Sequence, residues 1–96
     1  MRHLDANNLL QYASHLKGQR LFTISREKPF TVRVTPDGLE ITPGSTGEPR
    51  KVSAELVQRV CDEYSQSKST SPGDYQRMTF DASYLIALID GFQNQR

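Results

Sequence analysis

The chain reads as an α+β fold in which helices pack on one face of a three-stranded antiparallel β-meander, in the order α-β-β-β-α-α. Three observations predict it. Three consecutive short runs alternate apolar and polar residues with period two, tight-turn residues separate them, and the flanking segments space their apolar residues as helices do. With 96 residues the chain has room for one small domain, 1–96, able to bury roughly 60 to 68% of its unfolded surface.

Leu9, Leu10, Ala13 and Leu16 recur at helical spacing, with Asp5 or Asn7 placed to cap the start and Gly18 placed to end the helix. In the first alternating run, RLFTISR, Phe22 and Ile24 share a face; Phe30, Val32 and Val34 do so in FTVRVT, and Leu39 and Ile41 in LEIT. REKP joins the first two runs. TPDG joins the last two, where Pro36 supplies a fixed φ, Asp37 a local hydrogen bond and Gly38 a positive φ. The opposite face of such a sheet carries Thr23, Ser25, Thr31, Arg33, Thr35, Glu40 and Thr42.

Ser53 reads as the N-cap of a second helix whose buried face is Leu56, Val57, Val60, Cys61 and Tyr64, with Glu55 in its first turn. SQSKSTSPGD, residues 65–74, reads as a flexible loop. YQRMTF allows an extra short strand near 75–80. Asp81 caps a closing helix that Gly91 stops, and residues 92–96 form a frayed tail.

Composition narrows the function classes. Hydrophobic residues are 35% and charged residues 24% of the chain, and there is no Trp, which fits a globular protein rather than a disordered or membrane one. The longest apolar stretch, Tyr84 to Ile89, is far below the ~20 residues that span a bilayer. MRHLDANNLL has a cation but no apolar segment followed by a small-residue cleavage site, so a cytoplasmic location is expected and a signal peptide is not. The lone Cys61 has no partner for an internal disulfide, in keeping with a reducing compartment.

The net charge is only +1, but it is unevenly spread. Arg20, Arg26, Lys28, Arg33, Arg50 and Lys51 face Glu27, Asp37, Glu40 and Glu48 across the middle of the chain, whereas the C-terminal half is mildly acidic. Within the basic middle lies PGSTGEPRK, residues 43–51. A phosphate-binding Walker loop needs a lysine and a hydroxyl directly after its last glycine, and here Gly47 is followed by Glu48 and Pro49. A weaker anion site remains. Ser45 and Thr46 offer hydroxyls, Gly47 permits close approach, Arg50 and Lys51 bring charge, and the helix after Ser53 would aim free N–H groups at the loop. The same loop also reads as a connector with solvated cations.

Arg33, flanked by Thr31 and Thr35 on the outer face, would extend this surface together with Arg26 or Lys28 in the adjoining hairpin, unless Glu40 on the next strand pairs with it. Phe30 belongs to the core. Tyr12, Tyr64 and Tyr84 take core or core-edge positions on helices, and Tyr75, in a loop, is the aromatic left available. The closing helix offers Ser83, Tyr84, Leu85 and Ile86 where a recognition helix would need base-reading side chains, so it fills the core instead. His3 and His15 are twelve positions apart with no Cys or acid pair at ligand spacing, and Cys61 lies on an apolar helical face, so neither a metal, a cofactor nor a catalytic group is expected.

Three fragments, KPFTV at 28–32, STGEPR at 45–50 and SYLIAL at 83–88, resemble a small uncharacterised module associated with bacterial restriction and other DNA-processing or phage-defence proteins. The resemblance covers most of the chain. It implies a DNA-linked accessory role and puts Ser45, Thr46, Gly47 and Arg50 at a characteristic loop, where a hydroxyl capping the turn and Arg50 pairing with an acid would produce the same pattern. The leading expectation is a non-catalytic module that grips DNA or RNA phosphates through Arg26, Lys28, Arg33, Ser45, Thr46, Arg50 and Lys51. The alternative is a protein-interaction or inhibitor module encoded by a phage or mobile element, as monomer or homodimer in either case.

Overall fold

The first helix, α1 (Ala6–Ser14), begins where Asp5 turns its carboxylate back to accept the Asn8 N–H at 2.7 Å. The computed structural model describes residues 3–24, 26–69, 71–75, 77–79 and 81–94. The chain continues through β1 (Leu21–Phe22), β2 (Pro29–Thr35), β3 (Gly38–Pro43), β4 (Arg50–Ser53), α2 (Ala54–Ser67), a 3-10 turn over Pro72–Tyr75, and α3 (Ala82–Gln93). The four strands form one antiparallel sheet in the order β1-β2-β3-β4. The fold is α+β as expected.

The fourth strand lies at Arg50–Ser53, where the loop before the second helix was expected. Its RKVS segment has one apolar residue, Val52, so no alternation shows in the sequence, yet it pairs with Gly38–Ile41 in register. In the segment allowed a strand near 75–80, the described residues form the end of the 3-10 turn and a further turn; Gln76 and Phe80 lie outside the described residues.

The register sorts the two faces of the sheet. Phe30, Val32, Leu39, Ile41 and Val52 point to the helices and are buried with Leu9, Ala13, Val57, Val60, Leu85, Ile86 and Ile89. Burying each of these larger side chains stabilises the fold by about 1.5–3 kcal/mol. Pro29, Thr31, Arg33, Thr35, Glu40, Thr42, Lys51 and Ser53 alternate with them and face away from the helices.

β1 inverts the expected phase. Leu21 pairs with Phe30 and takes the inner face, while Phe22 pairs with Pro29 and stands outside. Thr23, expected on the outer face, is buried, because its hydroxyl accepts the Lys28 N–H at 3.0 Å inside the turn. Satisfying that donor holds Thr23 inward and sends Phe22 and Ile24 to solvent, 53% and 41% exposed. Ser25 lies outside the described residues.

Four further expectations change. Gly91 does not stop α3: it sits inside the helix under the Tyr12 phenol, and Phe92, expected in a frayed tail, is buried edge-on to the Tyr12 ring with centroids 5.7 Å apart. Gln95 and Arg96 lie outside the described residues. Helix α2 runs to Ser67, into the segment expected to be a loop. Beyond it, Tyr75 is fully buried rather than available; its hydroxyl donates to Ser69 O at 2.7 Å and lies 3.2 Å from Ser67 Oγ. Thr70 in that segment is outside the described residues.

Candidate nucleic-acid interface

PGSTGEPRK is the connection of a β-hairpin. Pro43 ends β3 and Arg50 opens β4, and between them the Gly47 N–H donates to Pro43 O at 2.8 Å with Gly47 at φ +70. Ser45 and Thr46 are exposed at the tip, where Thr46 Oγ1 accepts the Glu48 N–H at 3.3 Å. The expected support from a helix N-terminus is overturned. Strand β4 intervenes, carrying the start of α2 about 10 Å away from Arg50. The first α2 donors are also occupied at home: the Ala54 N–H donates to Asp37 O at 3.0 Å and the Leu56 N–H to Ser53 Oγ at 3.1 Å.

Alternation along β4 separates the two adjacent cations. Arg50 pairs with Ile41 and leaves the sheet on the helical side, where its Nε meets Asp81 Oδ1 at the start of α3. Lys51 pairs with Glu40 and is exposed on the outer face. Asp81, expected as a capping side chain, makes no side-chain cap bond; its carboxylate serves Arg50.

The outer face is built in rows. Arg33, Glu40 and Lys51 lie side by side on β2, β3 and β4, and Arg33 Nη2 donates to Glu40 Oε1 at 3.0 Å. Thr31 and Thr42 form the next row, and Phe22 and Pro29 the one after. At that end the Gly44 N–H donates to Pro29 O at 2.8 Å, which sets the β3–β4 hairpin beside β2 as it leaves the β1–β2 hairpin. Exposed Arg26 and Lys28 therefore share one end of the sheet with Ser45 and Thr46, while Arg33 and Lys51 lie about 13 Å further along. Two elements of this surface escaped the sequence reading. Alternation alone puts Phe22 and Ile24 with the core-facing residues, and the β1–β2 register together with the inward hydrogen bond of Thr23 reveals the inversion.

Among the described helices none presents a basic face. The exposed residues of α1 are Asn7, Gln11 and Ser14, those of α2 include Glu55 and Asp62 against Arg59, and α3 has none. No described helix is long and apolar enough to cross a membrane. Set against protein-family models, curated proteins and solved structures, the chain has no match.

Proposed function

We propose that the protein is a non-catalytic nucleic-acid-binding accessory module whose contact surface is the helix-free face of the sheet with its two neighbouring hairpins. One observation carries the reading: Arg33 and Lys51 stand on this face with the hydroxyls of Thr31 and Thr42 beside them, and the two hairpins at its end add exposed Arg26, Lys28, Ser45 and Thr46. Cations and hydroxyls in this mixture suit phosphate and sugar contacts. Arg50 leaves the set, since its charge is spent on Asp81. Arg33 is also paired, with Glu40 at 3.0 Å, but its side chain stays 60% exposed on the outer face and so remains in the set, while Glu40 between Arg33 and Lys51 keeps the charge excess modest. A cytoplasmic setting goes with a nucleic-acid partner and with a single buried free cysteine.

Fluorescence anisotropy of labelled DNA and RNA at several salt concentrations tests this. Four phosphate contacts give a log-log salt slope of about −3.6 on duplex or about −2.8 on a single strand. Replacing Arg33 and Lys51 together by Ala should weaken binding and make the slope shallower by about 2. Unchanged affinity and slope in that double variant would remove the sheet face from the interface.

A second reading has its own observation. Exposed Phe22 and Ile24 beside a nearly neutral row favour docking of a protein, as an interaction or inhibitor module would require. Binding that appears only with a protein partner and persists at high salt would establish it.

A further inference from the structure

The outer face of the sheet also carries the largest apolar side chain that is exposed among the described residues, and that side chain is aromatic. Phe22 is 53% exposed, in register with Pro29, on the face that carries Thr31 and Arg33. Core burial would have been open to it: its neighbour Leu21 takes the inner position, and a one-residue shift would have exchanged the two. The register is instead pinned by the buried hydroxyl of Thr23 on the Lys28 N–H.

We propose that this face takes single-stranded nucleic acid, with one base stacked on the Phe22 ring and the strand running toward Arg33 and Lys51; the proposal rests on the nucleic-acid reading above. Two physical arguments select a single strand over a duplex. A ring standing on a sheet face meets a base only when that base is unpaired and its π-face is free. A duplex would offer the major groove, which admits a helix or a two-stranded ribbon about 12 Å across. The four strands of this sheet span about 14 Å from the first backbone to the last, and no described helix offers a basic face to a groove. Phosphates of a strand crossing the face meet Lys28 and Arg26 near the Phe22 end, and Lys51 and Arg33 at the other. The Thr31–Thr42 row lies between, with hydroxyls for sugars and base edges.

The chain contains no Trp, so Phe22→Trp places a single indole at the stacking position. Twelve-nucleotide oligo-dT, oligo-rU and a twelve-base-pair duplex would be titrated against the wild type, Phe22→Ala and Phe22→Trp at low salt, with thermal melts to verify folding. The expected result is tighter binding of one or both single strands than of the duplex. Phe22→Ala should weaken single-strand binding about tenfold. Phe22→Trp should retain binding, with its fluorescence quenched on addition of the single strand. Equal affinity for duplex and single strand, or a Phe22→Ala variant that binds single strands as the wild type does, would overturn the stacking while leaving a phosphate-gripping surface in place. Failure of the wild type to bind any of the three would overturn this proposal and the nucleic-acid reading together.

Discussion

At Gly38 the main chain leaves no room for a side chain. Its φ is +151, and a Cβ built there would lie 2.6 Å from Ala54 N and 2.8 Å from Ser53 C, against the backbone that joins β4 to α2. Gly47 differs in kind: its φ is +70, but nothing lies within 4 Å of the added carbon. Alanine at position 38 must push two strands apart as well as adopt an unfavourable φ, which should cost about 3 kcal/mol. Alanine at 47 meets only the left-handed strain, about 1–2 kcal/mol. Urea unfolding of the two variants checks the order, and a Gly47→Ala variant less stable than Gly38→Ala would contradict it. The contrast bears on the site. TPDG was readable as a turn because Pro36, Asp37 and Gly38 each supply a backbone requirement. Gly47, which suggested close approach of a ligand, is accounted for by the hairpin it closes.

At the level of elements, Arg50 connects strand β4 to the first residue before helix α3. Its side chain is 47% exposed and that of Asp81 only 11%, so removing the arginine leaves a mostly buried carboxylate without its cation. Partial solvent access to Arg50 screens the pair, which brings the expected loss for Arg50→Ala down to about 1–2 kcal/mol. Lys51→Ala, one residue along on the solvent face, should change stability by less than about 0.5 kcal/mol. Chemical denaturation of both variants distinguishes them, and equal stabilities would show that the Arg50–Asp81 contact contributes nothing. This pair also marks where sequence reasoning reached its limit. Alternation in FTVRVT and LEIT, the Ser53 cap and the apolar face of α2 were legible because each is written in local spacing. Strand β4 was not, since one apolar residue shows no period. With β4 hidden, the start of α2 fell beside the loop, and Arg50 and Lys51 looked like a matched pair, although pairing with β3 turns them to opposite faces.

Across the whole molecule, the buried and half-buried titratable groups with displaced pKa values share one direction. Burial pushes the Cys61 thiol up to about 12, with the Asp62 and Asp5 carboxylates adding to the shift. Burial likewise raises Tyr75, opposed by its Ser67 hydrogen bond, and raises Tyr12, helped by Asp90. In each case the folded state holds the proton more tightly than the unfolded chain. Their contribution is therefore intact below the unfolded pKa and is lost as pH climbs through the window up to the folded one. For Cys61 that window opens at its ordinary value of 9.0, so stability should fall by about 1.4 kcal/mol between neutral pH and pH 10. The tyrosines, ordinarily titrating at 10.0, steepen the decline above that. Urea midpoints measured at pH 7, 9, 10 and 10.5 follow it directly. Cys61→Ala, though less stable at every pH for loss of packing, should give a flatter profile between pH 8.5 and 10, because the thiol is the first of the three to titrate in the unfolded chain. A wild-type midpoint that holds constant through pH 10 would mean that the thiolate is tolerated in the folded core.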